Sequence, residues 1–498
     1  MKRFRLVLLS LGLAMTFSAS AFAVDVQFSG SYFAAGMYLD QVSLIKGPTG
    51  LLSGYDPNTG MPIYKGPNTD NQSTAFYFQR LRVRTDFIIS PGLKLITRFD
   101  ALNRIWGGAR STPGTYDTQS AGTRDEEQNI AIDWAYIEYT SPIGLFQVGY
   151  AEDNVWGGLA FGSSGSGPPA GQILYGAQIG PVTFGAGIYK EADGSFSAVN
   201  SGATATDTDY DRYALFGIYN FKGGETGLLF TYSRIANDKQ FPSSLSAPGM
   251  GAWGVPLNMG GSFIPAANMM YIYTFQPYFK TKLGPVALEG EFVYSWGSIN
   301  MENSFNPFSL PDLQLQDIMA YLNAVVDLGV FYVGGTVAYM SGDDPNTTDR
   351  VEGNVLGGGM DWNPCLIMFN QDLTYWVGPL PGNGGTSNFS GSYPNTGYAG
   401  MTNAWFFQLK GGLRPIPKLD IAAAVSYAMA DQVPTGFASD KSYGWELDVT
   451  GTYKITNNLS YLLGIGYWWV GDYYKGLESE NNHVRDEYMV INKLTLTF

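Results

Sequence analysis

The densest run of titratable groups is "AFYFQRLRVRTDF", residues 75–87, where Arg80, Arg82 and Arg84 alternate with Leu81 and Val83. Successive side chains of an extended strand point to opposite faces, so the three guanidiniums share one face. Beyond a tight turn, Lys94, Arg98 and Arg104 also fall on a single parity. Neighbouring strands lie about 5 Å apart, which stacks the six cations into one basic ladder. Guanidiniums hold anions through charge-assisted hydrogen bonds, so such a ladder could guide anions. The same groups paired with Asp86 and Asp100 would instead brace a wall. Glu289, Glu291, Asp317, Glu446 and Asp448 lie in later alternating runs and supply an opposing acidic wall. With a field running between two walls, mean charge predicts selectivity poorly.

Other chemistries have little to work with. Cys365 is the only cysteine and His483 the only histidine. That pattern excludes a disulfide framework, a CxxCH haem site and a His/Cys metal cluster. His483 lies among acids in "ESENNHVRDE", but no partner serine stands out. Asp343, Asp344, Asp349 and Glu352 crowd "SGDDPNTTDRVEGN" (341–354). Oxygen-rich loops can bind calcium, yet this spacing is no recognised calcium loop, and a solvated loop is the expectation. Neither catalysis, a metal nor a cofactor is expected.

The elements that must carry these residues are strands. Hydrophobic residues make up 45% of the chain while mean hydropathy is only -0.06, so apolar positions are interleaved rather than blocked. The chain opens with Lys2, Arg3 and Arg5, then "LVLLSLGLAMTF", then "SASAFA". This reads as a signal peptide over 1–23, cleaved after Ala23, and the protein is expected to leave the cytoplasm. Without those three cations the chain carries 26 basic against 43 acidic residues, a net charge of -17. So acidic a chain is no general nucleic-acid binder.

From Val24 one figure repeats: alternating segment, tight turn, alternating segment, long polar loop. The tight turns are "SPGL" (90–93), "SPIG" (141–144), "IGPV" (179–182), "FKGGE" (221–225), "LGPV" (283–286), "DLGV" (327–330), "RPIPK" (414–418) and "ITNN" (455–458). Pro, Gly and Asn sit where the chain must reverse. Eight short turns and nine long loops separate eighteen strands, with sixteen as the alternative count. Short turns at one rim and long loops at the other predict an all-β, transmembrane, antiparallel up-and-down β-barrel. Closure leaves no unpaired edge in lipid. Trp405, Phe407, Leu409 and Leu413 alternate with Gln408, Lys410 and Arg414, and Trp445, Leu447 and Val449 alternate with Glu446 and Asp448. The apolar face is expected to meet lipid and the polar face a wet lumen. Trp106, Trp296, Trp469, Tyr139 and Tyr488 fit interfacial girdles.

The last run, "YMVINKLTLTF" (488–498), places Tyr488, Leu494, Leu496 and Phe498 on one face. With the signal peptide and eighteen segments, it makes the chain resemble Gram-negative outer-membrane porins over its whole mature length. "YMSGDDPNTTDR" (339–350) is similar to large porin-like and alginate-export-type channels. "GGMDWNPCLIMFN" (358–370) looks like a loop of outer-membrane channels from metal-reducing bacteria. The resemblance implies that Tyr488, Leu494, Leu496 and Phe498 form the signal read by the barrel-assembly machinery. It also implies contact with outer-membrane lipid and lipopolysaccharide, and a monomer or a homotrimer. Passive diffusion of small hydrophilic solutes is the leading function. The second reading is a sheath around a multihaem cytochrome.

The longest loop, 343–400, carries an apolar stretch, "DWNPCLIMFNQDLTYWVG" (361–378). Leaving it in water would cost about 25 cal/mol per Å², so it must bury itself. An inward fold that narrows the pore is expected, with Trp362, Phe369, Tyr375 and Trp376 in the constriction. A contact between subunits is the alternative.

Overall fold

At each of the eight short turns the chain reverses as the sequence requires. Gly92, Gly180, Gly223, Gly284 and Gly329 take positive φ there, a conformation open to glycine at little cost. The computed structural model describes residues 24–40, 45–46, 51–55, 62–65, 73–106, 130–152, 155–162, 169–193, 209–237, 268–301, 311–353, 362–370, 373, 376, 401–433, 440–477 and 483–498. The signal segment 1–23 and Tyr375 lie outside them.

Eighteen antiparallel strands form the wall. They are β1 Asp25–Asp40, β2 Thr74–Ser90, β3 Leu93–Ile105, β4 Ile130–Ser141, β5 Gly144–Ala151 and β6 Ala170–Ile179. Next come β7 Val182–Ala192, β8 Tyr210–Phe221, β9 Gly224–Asn237, β10 Asn268–Leu283, β11 Val286–Met301 and β12 Leu313–Asp327. The ring is completed by β13 Phe331–Met340, β14 Ala404–Ile416, β15 Leu419–Ala430, β16 Ser442–Lys454, β17 Leu459–Val470 and β18 Glu487–Thr497. Each strand pairs with its neighbours in sequence. β1 also pairs with β18, from Ser31↔Thr497 to Asp40↔Tyr488, which closes the sheet. The count is eighteen rather than sixteen.

Parity divides the wall as the alternation predicts. Phe407, Leu409, Leu413, Trp445, Leu447 and Val449 are exposed on the outside, while Phe406, Glu446 and Asp448 are buried within. Near the long-loop rim, Tyr213, Tyr232, Tyr273 and Trp296 stack across β8–β11, with centroids 6.1, 5.1 and 5.7 Å apart. Trp445 joins this level on Tyr427 at 4.7 Å, and Tyr488 on Tyr38 at 5.6 Å. Near the other rim, Phe146 meets Tyr175 at 5.0 Å and Tyr219 meets Phe221 at 6.1 Å. These two levels bound an apolar band.

Phe498 finishes the closure. Its N–H donates to the Gly30 carbonyl at 3.0 Å, and its carbonyl accepts the Gly30 N–H at 2.8 Å. Leu494, Leu496 and the Phe498 ring all lie exposed on the outer face. Deleting Phe498 is therefore expected to lower the yield of heat-modifiable barrel in membranes, measured by unboiled gel migration. An unchanged yield would remove any role for this residue in assembly.

The structure corrects one rung of the basic ladder. Leu102 adopts φ 49°, and the β2–β3 register slips between Gln79↔Arg104 and Leu81↔Ala101. A bulge of this kind reverses parity beyond it. Arg104 therefore lies on the Gln79 face, away from Arg80, Arg82 and Arg84.

Candidate permeation site

The lumen is not uniformly wet. Towards the long-loop rim the inward face is apolar, with Phe33, Met37, Phe78, Met319, Met340, Phe406, Trp468 and Met489 buried in one cluster. Among the described residues, two segments between strands fold inward to cover it, beside the turn 472–477 that buries Tyr473 and Tyr474 against Tyr443 and Trp468.

The first comprises 362–370 with Leu373 and Trp376. Cys365, Ile367, Met368, Phe369, Leu373 and Trp376 are all buried. Phe369 takes φ 56°, uncommon for a residue with a bulky side chain. The turn is stapled by Asn370, whose Nδ2 donates to the Leu366 carbonyl at 2.7 Å and whose Oδ1 accepts the Leu373 N–H at 3.1 Å. This geometry aims three successive backbone N–H groups at the wall. Ile367 and Met368 each donate to Glu446 at 2.7 Å, and Leu366 donates to Asp448 at 3.2 Å. Gln408 Nε2 holds the Pro364 carbonyl at 2.6 Å. Trp362 meets Tyr321 and Phe406 edge-on at 5.5 and 6.0 Å. Trp376 packs against Phe78 at 4.5 Å and Phe33 at 6.3 Å, on β2 and β1. The segment thus runs from the β14–β16 wall to the β1–β2 wall, as a crossbar.

The second segment, 155–162, was not singled out from the sequence. Trp156 Nε1 donates to the Gln276 carbonyl at 2.9 Å, and its ring meets Tyr278 edge-on at 5.3 Å. The Phe161 N–H donates to Glu291 at 2.8 Å, and the backbone of Ala160 and Gly162 also bonds that carboxylate. Phe161 reaches Trp362 at 6.1 Å, so the two segments meet inside the barrel.

This alters the acidic wall. Glu291, Asp317, Glu446 and Asp448 are at most 6% exposed. Glu291, Glu446 and Asp448 are spent on loop backbone, and Asp317 accepts the Ser341 hydroxyl at 2.8 Å. They act as latches rather than as a free row of charge. Glu289 alone of the five is not buried, and accepts from Tyr321 and Asn323 at 2.9 Å each.

On the basic face Arg82, Arg84, Lys94 and Arg98 are each paired with an acid. Arg82 is bidentate to Asp100 at 2.7 and 2.8 Å, and Arg84 to Asp86 at 2.7 and 3.1 Å. Lys94 lies 3.7 Å from Glu138. Arg98 is buried, bonded to Asp133 through Nε at 2.9 Å and lying 3.5 Å over the Trp134 ring. Arg80 covers the Phe33 ring at 5.3 Å, opposite Lys493 at 4.4 Å.

On the short-turn side of the crossbar lies a cavity of about 440 Å³, lined by Glu289, Asn323, Thr336, Trp362, Lys410 and Thr450 among others. Lys410 donates to Thr336 at 3.3 Å. Aromatic ceiling and polar floor suit a hydrated solute in transit. Cys365 and Asp448 also border this cavity. Burial pushes the Cys365 thiol well above its usual range, reinforced by the Glu446 and Asp448 carboxylates. The acids of 343–352 turn inward on their own loop. Asp343 accepts the Glu352 N–H at 2.9 Å, and Asp344 accepts from Asn346 at 2.9 and 2.8 Å. Burial pushes the Asp343 carboxyl up to about 6. His483 is exposed, in a short ladder with Lys46.

No family model and no curated protein matches the chain. Among solved structures it is similar to a BenF-like porin from Pseudomonas fluorescens Pf-5, at 11% identity, covering 95% of this chain and 99% of that one, TM-score 0.46. It is also similar to OccK2 (OpdF) of Pseudomonas aeruginosa, at 12% identity, covering 95% and 98%, TM-score 0.45. A third is the trimer form of OmpT, an outer membrane protein of Vibrio cholerae, at 12% identity, covering 96% and 100%, TM-score 0.38. Likenesses this distant carry no functional argument. Function is carried by this chain's own geometry: a closed eighteen-strand barrel, apolar outside, with a crossbar inside.

Proposed function

We propose that the protein is an outer-membrane channel through which small hydrophilic solutes diffuse passively, and that the crossbar sets its narrowest section. The observation that carries this reading is the two-faced wall: apolar side chains outside, and inside a polar cavity beside a latched segment. Barrels of this strand number are wide enough to hold an aqueous path. The sheath reading is less favoured, because Trp156, Trp362, Phe369 and Trp376 occupy lumen that a haem protein would need. No catalytic role is assigned. The exterior band contacts lipid, and the long-loop rim meets lipopolysaccharide. The low wall β5–β7, with strands of 8, 10 and 11 residues, is the side given to contact between copies in a homotrimer. Liposomes carrying the purified protein should swell in small sugars and not in large oligosaccharides. Equal rates for all sizes, or no swelling with folded protein present, would defeat the reading.

The paired basic face has its own test. Replacing Arg82 and Arg84 by Gln leaves Asp100 and Asp86 without cations. The reversal potential in a salt gradient should then move towards cations. The effect should be largest near 0.01 M salt, where the Debye length is about 30 Å. No movement at low salt would assign these pairs to bracing alone.

A further inference from the structure

Glu446 and Asp448 stand side by side on the inner face of β16, wholly or almost wholly buried, with Cys365 beside them. One ligand atom from each of the three lies within 4.8 Å of the others. Both Glu446 oxygens accept a backbone N–H, and Asp448 Oδ2 accepts a third. Asp448 Oδ1 receives no N–H or hydroxyl donor, only a proton shared with the Glu446 carboxyl, although its residue is only 6% exposed. Two buried carboxylates so placed require something positive between them.

Gly466, on the neighbouring strand β17, supplies a second and separate observation. A Cβ there would stand 2.7 Å from Asp448 Oδ1 and 3.5 Å from Glu446 Oε1. With Leu366 Cβ 3.1 Å from the same point, the missing side chain lets one oxygen of each acid and the crossbar converge more closely than a Cβ would allow. The cavity provides the way in, since Cys365 and Asp448 both line it.

We propose that Cys365, Glu446 and Asp448 form a divalent transition-metal site of the zinc class, which clamps the crossbar to the barrel wall. One sulfur and two carboxylate oxygens suit a borderline-soft ion that takes four ligands. A water from the cavity fills the fourth position. Two carboxylates and a thiolate outweigh the ion's charge, and the three backbone N–H groups offset the excess. On binding, the S–H bond and the O–H bond of the proton shared by the acids break, the sulfur–metal and oxygen–metal bonds form, and both protons leave to solvent. Nothing is oxidised or reduced.

Cobalt(II) reports the sulfur bond directly. Purified full-length barrel, stripped with a chelator and dialysed, is titrated with Co²⁺ and followed by absorbance. The expected result is one equivalent bound with a thiolate-to-cobalt charge-transfer band, bleached by Zn²⁺. Cys365→Ser, close in size and still able to bond Ser426, should fold but lose the band. Gly466→Ala, which drives a methyl against Asp448 Oδ1 and displaces it, should weaken binding by about tenfold or more. No band in the wild type at saturating Co²⁺ means that a shared proton occupies the pair, and the proposal fails. Cys365 is the only thiol, so one equivalent of Co²⁺ still held at wild-type affinity by Cys365→Ser would mean metal bound elsewhere, and the proposal fails equally. Neither readout depends on whether the barrel conducts.

Discussion

Deleting 361–378 is expected to raise single-channel conductance several-fold over the wild-type protein. The crossbar reaches from Tyr321 on β12, past the latch on β16, to Phe78 on β2, eight strands round the ring. Conductance follows the narrowest cross-section, so removing the segment widens the path where it is tightest. Deletion also uncovers Phe406, Trp468 and their neighbours, so heat-modifiable migration must first show that the barrel is assembled. An assembled deletion with wild-type conductance would mean that the crossbar does not limit flow.

Replacing Glu446 with Leu should release the segment without shortening it. The change strips the acceptors from the Ile367 and Met368 N–H groups. A buried N–H left without an acceptor costs about 1–3 kcal/mol, so the latch loses about 2–6 kcal/mol. Three kcal/mol is a factor of about 10² in population, enough to turn a fixed crossbar into a fluctuating one. Cys365, 4% exposed in the latched state, should change from unreactive to readily labelled by a small water-soluble thiol reagent. Open-channel current should become noisier at the same time. A Cys365 that stays unreactive in an assembled Glu446→Leu barrel would locate the latch elsewhere, with the Trp362 and Trp376 contacts as the next to test.

The wall was legible in the sequence because its signals are local. Turn residues mark every short reversal, and period-two alternation sorts Leu409 from Lys410 and Leu447 from Asp448 without any knowledge of neighbours. The apolar stretch at 361–378 had to be buried somewhere, and composition said as much. Arg104 was misplaced because the bulge at Leu102 is made by a residue with no turn signature. Glu291, Glu446 and Asp448 were read as part of a free wall because their partners are backbone N–H groups of residues 160–162 and 366–368. Backbone donors leave no trace in residue types. Segment 155–162 was hidden for the same reason, with only "VWGGLAFG" to hint that a loop so apolar needs cover. Contacts such as Trp376 on Phe78 join positions nearly three hundred residues apart, beyond any reading of spacing.

Single-channel recording of the wild-type protein in planar lipid bilayers tests the central claim most directly. A closed barrel with an aqueous path predicts discrete, ohmic steps, smaller than those of the 361–378 deletion recorded in the same salt. Folded, membrane-inserted protein that passes no ions would contradict it, as would a path blocked by a haem protein that stays bound through purification.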